Sequence, residues 1–256
     1  MSNISEIRKS FEVQANAFDI QCSHLSNKDY LDYIVFKTKP SSNDNILEVA
    51  AGTCICGRAL APYVKNIICL DATPAMLDVG KSECRKSNIQ NIDFTEGLAE
   101  ALPFEDNSFD IVISRLAFHH FTDPEIVFKE MKRVLRNNGK LIIIDMITDN
   151  TLFRENADKI EAMRDNSHVK NLSLTEIRNL YFDNNVCLKI QERTDMCVSL
   201  EDWMELTKTP EIFRTKIRRL MYDDICGKYT TGFSPYLNNG SIFFNHHWIF
   251  SLGIKQ

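Results

Sequence analysis

The chain has 256 residues, a hydrophobic fraction of 44% and a formal net charge of −5 at pH 7. That length can bury a full hydrophobic core, either as one domain or as a domain with a lid. The acidic balance and the lack of a basic run argue against a nucleic-acid-binding surface. No apolar stretch reaches the roughly 18 to 20 residues of a membrane span, and positions 1–18 are polar, so we expect a cytoplasmic protein with neither a membrane span nor an export signal.

Cysteine usage indicates a reducing environment. The chain is too large to need disulfide staples, and we expect all eight cysteines to be free thiols, at positions 22, 54, 56, 69, 84, 187, 197 and 226. Cys54 and Cys56 are the only close pair, and they lack a second pair of ligands at zinc spacing. We therefore interpret them as small residues that fill a tight loop, and we expect no metal site.

Apolar periodicity predicts alternating helices and strands up to about residue 148. The N-terminal pattern is helical over 4–38, and a loop over 40–44 follows it. Thr73-Pro74 and Asp123-Pro124 are typical helix starts, with a capping residue before a proline at the first helical position. The predicted strands are 45–50, 66–70, 92–94, 109–114 and 141–145, and the predicted helices between them are 57–64, 73–87 and 123–135. Such alternation is typical of a parallel sheet with helices on both faces.

The pattern changes in the last hundred or so residues. A capping-box sequence at Ser173 and Glu176 predicts the start of a helix. The other predicted elements are helices at 151–164 and 199–226, strands at 186–194 and 241–254, and a turn-rich loop at 227–240. We expect this region to complete the sheet and to supply a cap over the site.

The first strand and the loop after it carry the strongest local signal. An apolar strand enters a loop of small residues around Gly52, and a second apolar strand ends at Asp71, nineteen positions later. Small residues let a ligand approach the backbone, a following helix N-terminus adds partial positive charge, and the acid can hold ribose hydroxyls. The spacing therefore predicts a nucleotide-binding βαβ unit.

Several further sequence motifs follow one another along the chain. They are Leu47-Glu48-Val49-Ala50-Ala51-Gly52-Thr53, Leu70-Asp71-Ala72-Thr73-Pro74-Ala75-Met76-Leu77, Glu96-Gly97-Leu98-Ala99-Glu100-Ala101-Leu102-Pro103-Phe104, Asp106-Asn107-Ser108-Phe109-Asp110 and Leu116-Ala117-Phe118-His119-His120-Phe121. As a set, these motifs resemble those of class I S-adenosylmethionine (SAM) dependent methyltransferases, in particular the ubiquinone/menaquinone-biosynthesis type and its small-molecule relatives. The resemblance covers roughly residues 10–147.

The resemblance implies a fold and a division of the chain. The fold would be α/β and Rossmann-like, with a mostly parallel seven-stranded sheet, helices on both faces and a helical cap. The whole chain, 1–256, would be one methyltransferase domain. Its parts would be an N-terminal helical lid over 1–40, a SAM-binding core over 41–148, and a substrate-side cap with the last strands over 149–256.

The resemblance also implies roles for individual residues around SAM. Glu48 would face the ammonium group, Asp71 would accept hydrogen bonds from both ribose hydroxyls, and Phe18 would cover the cofactor. The remaining cofactor-binding residues would be Ala50, Ala51, Gly52 and Thr53 along the methionine and ribose, Ala72, Met76, Leu98 and Ala99 around the adenine, and Arg115 and Leu116 beneath the sulfonium.

The chain departs from the family in the glycine loop. Family members usually have glycine where Ala50 and Cys54 stand. Alanine fits such a position where the local φ is negative, and a cysteine side chain would crowd the ligand.

Methyl transfer needs an acceptor held in line with the sulfonium and a site without water. A base is required only when the acceptor must lose a proton. His119 and His120 follow the fourth strand, where ligands gather in open α/β sheets, and are the candidate catalytic residues. Arg164, which could instead pair with Asp165, and His168 are the candidate acceptor-binding residues.

We expect a small-molecule acceptor and no nucleic-acid partner. The sequence does not determine the oligomeric state, and a homodimer is one possibility. Two alternatives remain at this point, a SAM-binding module without turnover and an RNA or protein methyltransferase. An NAD-linked oxidoreductase would require G-x-G-x-x-G, which the loop from Ala50 to Ile55 does not supply.

Overall fold

A computed structural model describes residues 3–15, 18, 27–148 and 152–256 of the chain. Within these ranges the strands are β1 (Asn45–Val49), β2 (Asn66–Asp71), β3 (Ile92–Glu96), β4 (Phe109–Arg115), β5 (Leu135–Met146), β6 (Val186–Ser199), β7 (Tyr236–Asn238) and β8 (Ser241–Lys255). They form one sheet in the order β3-β2-β1-β4-β5-β8-β6, with β7 paired to the start of β8.

The sheet is parallel from β3 to β5, whereas β8 runs antiparallel to both β5 and β6. The expected seven-stranded, mostly parallel sheet is confirmed, with the three-residue β7 as an additional strand. The predicted loop over 227–240 contains β7. The predicted strand 141–145 is longer than expected, because residues 135–146 all belong to β5.

The helices in the described ranges are α1 (Ile4–Gln14), α2 (Lys28–Thr38), α3 (Ile55–Leu60), α4 (Pro74–Lys86), α5 (Pro124–Val134), α6 (Arg154–Arg164), α7 (Leu174–Asp183), α8 (Leu200–Leu206) and α9 (Glu211–Ile225). Short 3₁₀ turns lie at Ala61–Tyr63 and Phe118–His120. None of these helices is long and apolar enough to cross a membrane.

Two helix predictions need correction. The single helix predicted over 199–226 is wrong, because Pro210 separates α8 from α9 and is the N-cap residue of the second helix. Proline lacks a backbone N–H and disfavours helical geometry in the residue before it. The predicted helix over 4–38 consists of α1 and α2, and most residues between them, 16–17 and 19–26, lie outside the described part of the chain.

The predicted helix caps are confirmed with one exception. The Asp123 carboxylate accepts the N–H groups of Glu125 and Ile126, and Ser173 forms a complete capping box with Glu176. Thr73 occupies the N-cap position of α4, but its side chain makes no capping hydrogen bond. Its own N–H instead donates to Asp71, which places the start of α4 against the end of β2.

Apolar residues cover both faces of the sheet and continue under the C-terminal cap. One cluster includes Leu47, Val112 and Phe128, and a second, on the other face, includes Ile46, Ile113 and Trp248. A third cluster packs Trp203 and Phe244 between α6, α8, α9 and β8. Because β8 contributes to the central sheet, the C-terminal region and the first five strands share one continuous framework.

Candidate functional site

A cavity of about 840 Å³, part of it open to solvent, lies at the carboxyl ends of β1, β2 and β4. We call it the cofactor cavity. It brings together most of the predicted cofactor-binding residues: Phe18, Glu48, Ala50, Ala51, Gly52, Thr53, Asp71, Ala72, Met76, Ala99, Arg115 and Leu116. Leu98 is not in its lining and is 38% exposed. The adenine contact implied for Leu98 therefore has no counterpart in this cavity.

The loop after β1 has left-handed backbone at three positions. The φ values are +52° at Ala50, +55° at Gly52 and +63° at Cys54. The condition under which alanine fits this position, a negative φ, is therefore not met at Ala50. Left-handed geometry costs a residue with a side chain about 1–2 kcal/mol, a cost that glycine at position 50 or 54 would avoid. At Gly52 a side chain would also meet Met76, whose Cε lies 3.1 Å from the position of a Cβ atom.

Asp71 joins the loop after β1 to the start of α4. Its Oδ2 accepts the N–H of Gly52 and its Oδ1 accepts the N–H of Thr73, both at 2.8 Å. Burial raises the pKa of Asp71, and these two hydrogen bonds oppose that rise. Each carboxylate oxygen has a second lone pair, so Asp71 can still accept two hydrogen bonds from a ligand in the cavity.

Glu48 is a buried acid in the floor of the cofactor cavity, with 2% of its surface exposed. Its Oε2 accepts the N–H of Gly57 at 2.7 Å, while Oε1 has no hydrogen-bond partner among the described residues. Burial raises the pKa of Glu48 to about 7, against the lowering effect of the Gly57 hydrogen bond. Such a group is well suited to receive a cationic ligand, which would stabilise its charged form.

A disulfide between Cys54 and Cys69 corrects the expectation that all cysteines are free thiols. The two Cα atoms are 6.3 Å apart, within the range that a disulfide spans. Both sulfur atoms lie beside Glu48, at 3.5 and 3.7 Å from its Oε2. Cys54 is not among the residues that line the cofactor cavity.

Helix α1 covers the cofactor cavity with Ile4, Ile7 and Phe11. Arg8 fixes the helix in place, because its Nε donates to the carbonyl oxygen of Ala72 at 2.8 Å and its Nη2 donates to Glu96 at 2.9 Å. The N-terminal lid over 1–40 stays a prediction. The sequence resemblance implied a role only for Phe18 in this region and missed the three apolar residues of α1.

A second cavity of about 480 Å³ lies next to the first, and we call it the acceptor cavity. Phe11, Phe18, Leu116 and His120 line both cavities. The other residues around it are Gln14, His119, Met146, Arg164, Asp165, Trp203, Leu206, His246 and Trp248. The two spaces therefore meet at the carboxyl end of β4.

The structure distinguishes the two adjacent histidines. Nδ1 of His119 lies 2.6 Å from Oδ1 of Asp145, and both side chains are buried. Burial lowers the pKa of His119, but the charge and hydrogen bond of Asp145 outweigh it, so the net shift is upward. Nδ1 of His120 instead faces the carbonyl oxygen of Ser167 at 3.1 Å, and burial lowers its pKa to about 3.

The two predicted acceptor-binding residues have different positions. Arg164 lines the acceptor cavity, but its ion-pair partner is Glu161, at 3.1 Å, and not Asp165. Its guanidinium carbon also lies 4.7 Å from the ring centre of Trp203. His168 lines neither cavity, and its Nε2 is paired with Asp158 at 2.9 Å.

Asp145 is the main site residue that the sequence left without a role. It ends a run of apolar residues in β5, a strand adjacent to β4. An acid at the carboxyl end of a buried strand is a signal that could have paired it with His119, which follows the neighbouring strand.

The strand order, with one antiparallel strand near one edge, and an acid at the end of β2 facing a cavity define a class I SAM-dependent methyltransferase. SAM is therefore the cofactor that the chemistry of this cavity fits: a carboxylate for the ribose, a buried acid for the ammonium group, and small residues along the loop. The expected cofactor and enzyme class are confirmed by the comparisons that follow.

Comparison with known proteins supports this assignment. A family model described as "Methyltransferase domain" matches residues 47–143. The uncharacterized methyltransferase YcgJ of Bacillus subtilis is 31% identical over 64% of this chain and 66% of its own length. Its crystal structure superposes with a TM-score of 0.82 at 28% identity, over 88% of this chain and 97% of YcgJ.

Two further relatives are the uncharacterized protein YafE of Escherichia coli and the UbiE C-methyltransferase of ubiquinone/menaquinone biosynthesis from Hahella chejuensis. YafE is 34% identical over 62% of this chain and 77% of its own length. UbiE is 30% identical over 55% of this chain, and the match spans 59% of the length of UbiE. The chain belongs to the SAM-dependent methyltransferase family.

The disulfide leads to a first prediction. A proteolytic digest prepared without reductant should contain the peptide with Cys54 linked by a disulfide to the peptide with Cys69. Reduction should separate the two peptides. Closing a 15-residue separation should stabilise the protein by about 3 kcal/mol, so the Cys69→Ser variant should unfold at lower denaturant concentration. Cys84→Ser, which replaces a free buried cysteine, is the control for loss of a buried sulfur. Full alkylation of both Cys54 and Cys69 in unreduced protein would contradict the prediction.

Proposed function

We propose that this protein transfers a methyl group from SAM to a small-molecule acceptor held in the acceptor cavity. The observation that carries the proposal is the meeting of two cavities at Phe11, Phe18, Leu116 and His120. A sulfonium at this junction would have its methyl group directed at an acceptor on the other side. Proximity and exclusion of water would then supply most of the rate enhancement.

Around SAM, Asp71 would accept both ribose hydroxyls and Oε1 of Glu48 would receive the ammonium group. The loop from Ala50 to Thr53 would contact the methionine portion, and Met76 would pack against the adenine together with Ala72 and Ala99. Arg115 and Leu116 would close the site below the sulfonium. This assignment combines the roles implied by sequence with the hydrogen-bonding capacity that each side chain retains.

A small molecule is favoured over RNA or a protein segment as acceptor. The acceptor cavity has buried walls that include Trp203 and Trp248, and an aromatic lining of this kind is typical of small-molecule sites. The chain also carries a net charge of −5, which would repel a polyanion. UbiE, by its name a C-methyltransferase of quinone biosynthesis, also modifies a small molecule.

Calorimetric titration with SAM tests the cofactor assignment. Asp71→Asn removes the charge from the acceptor of two ribose hydrogen bonds. A hydrogen bond to a charged group is worth about 1.5–3 kcal/mol and a neutral one about 0.5–1.5 kcal/mol, so a loss of about 1.4 kcal/mol from each bond should raise the Kd by about 100-fold. Asp78→Asn is the matched control, because Asp78 is an exposed acid on α4 that pairs with Lys81 and should leave the Kd unchanged. If the wild type does not bind SAM, the proposed function fails. An unchanged Kd in Asp71→Asn would remove the role of Asp71 alone.

Glu48 leads to a pH-dependent prediction for the same titration. With a pKa of about 7 in the ligand-free protein, Glu48 is mostly protonated at about pH 6, and a bound ammonium group would favour the carboxylate. SAM binding should therefore release a proton at this pH, and affinity should rise as the pH approaches 7. The binding enthalpy should vary with the ionisation enthalpy of the buffer in the wild type and much less in Glu48→Gln. Equal buffer dependence in the two proteins would show that Glu48 does not lose a proton.

A further inference from the structure

Asp145 is held in one orientation by three donors. Its Oδ1 is 2.6 Å from Nδ1 of His119 and accepts the N–H of Met146 at 2.6 Å, while its Oδ2 accepts the N–H of His119 at 3.3 Å. Only 1% of Asp145 is exposed. A carboxylate in this position accepts the Nδ1 proton of His119, so the lone pair of the neutral ring is on Nε2.

The Nε2 atom of His119 is available to a ligand. His119 lines the acceptor cavity, and no hydrogen bond to its Nε2 is found within the ranges that the structure describes. His120 is a weaker candidate for proton transfer, because it pairs with a carbonyl oxygen instead of a carboxylate and its pKa is lowered to about 3. A base with so low a pKa gives little driving force for removing a proton.

We propose that His119 is the general base of the methyl transfer, that Asp145 is its positioning residue, and that the acceptor is a planar ring carrying a weakly acidic hydroxyl group. The proposal rests on the function proposed above and extends it to the acceptor and to proton transfer.

The walls of the acceptor cavity support a planar ring as the acceptor. Phe11, Phe18, Trp203 and Trp248 provide aromatic surface around the space. A phenolic hydroxyl has a pKa of about 10 and is protonated at neutral pH. Such an acceptor must lose its proton inside the cavity.

The hydroxyl oxygen of the acceptor forms a bond to the methyl carbon, and the carbon–sulfur bond breaks with its electron pair going to sulfur, which becomes neutral. The hydroxyl proton passes to Nε2 of His119, and the resulting imidazolium is stabilised by the Asp145 carboxylate.

The pH dependence of this step follows from the groups around His119. They are Asp145 on β5, His120 beside it, Glu161 and Arg164 on α6, Asp165 and His168 in the following loop, and His246 on β8. His119 accepts a proton only when its ring is neutral. The rate should therefore rise with pH through a pKa above the ordinary value of about 6.5, because Asp145 raises the pKa of His119.

Two phenols serve as probes. The hydroxyl of 2-naphthol is protonated at neutral pH and needs a base, whereas 4-nitrophenol is largely ionised at slightly alkaline pH and does not. With 2-naphthol, His119→Asn should lower kcat by about 100-fold or more. With 4-nitrophenol under alkaline conditions, the same variant should lose less than about tenfold of its rate, since no base is required.

Asp145→Asn tests the positioning role through the pH profile. Loss of the carboxylate removes the main cause that raises the pKa of His119 against burial, so the pKa seen in kcat/KM for 2-naphthol should move to lower pH. His247→Asn is the matched control, because His247 is also paired with an aspartate, Asp195 at 2.8 Å, but lies outside both cavities. Its rates should equal those of the wild type.

SAM calorimetry on every variant separates this proposal from the one on which it rests. A variant that binds SAM with wild-type affinity is folded, and its rates can be interpreted. Should the variants fail to fold, the wild-type pH profile still decides, since a flat profile with 2-naphthol contradicts a base at His119. Wild-type rates in His119→Asn would also contradict it. If SAM binds but neither phenol is methylated, the acceptor class is wrong while the proposed cofactor site stands.

Discussion

The Asp71 carboxylate is the constraint on which the site depends. One oxygen holds the N–H of Gly52 and the other holds that of Thr73, so a single side chain fixes the loops that follow both β1 and β2. The loop after β1 includes left-handed backbone at Ala50 and Cys54, an arrangement that residues with side chains adopt only at an energetic cost. The hydrogen bond from Gly52 and the disulfide at Cys54 offset that cost and keep the loop in a shape that accepts a ligand.

The proposed methyl transfer depends on the two cavities that lie beside Asp71. The parallel strands bring the carboxyl ends of β1, β2 and β4 to one edge of the sheet, where ligands bind in open α/β folds. Helix α1 contributes Ile4, Ile7 and Phe11 to the lining of the cofactor cavity, and the C-terminal region contributes Trp203 and Trp248 to the lining of the acceptor cavity. Methyl transfer needs alignment of the two reactants and exclusion of water more than covalent assistance, and we propose that the two adjoining cavities provide both.

Sequence reasoning identified the parts of the site that local pattern determines. The strand positions, the loop at Gly52 and the acid at Asp71 follow from apolar runs and their spacing, which depend on neighbouring residues alone. The Cys54–Cys69 disulfide was not predicted, because the expectation of reduced thiols came from composition and the two residues are brought together only by β1–β2 pairing. The positive φ of Ala50 was also not predicted, because it depends on the conformation of the whole loop.

The residues of the acceptor cavity were less predictable, because tertiary structure brings them together from distant parts of the sequence. His119 and Asp145 are 26 positions apart and meet only because β4 and β5 are neighbours in the sheet. His168 has the residue type of a ligand-binding group, yet it is paired with Asp158 away from both cavities. Residue type and order in the sequence therefore indicated the cofactor site, whereas the acceptor site required the tertiary structure.

A crystal structure of the protein with S-adenosylhomocysteine tests the central claim most directly. The account predicts that the two ribose hydroxyls lie within hydrogen-bond distance of the Asp71 carboxylate, that the amino group faces Glu48, and that the sulfur lies at the junction with the acceptor cavity. A nucleoside bound elsewhere, or an Asp71 carboxylate that contacts only Gly52 and Thr73 in the complex, would contradict it.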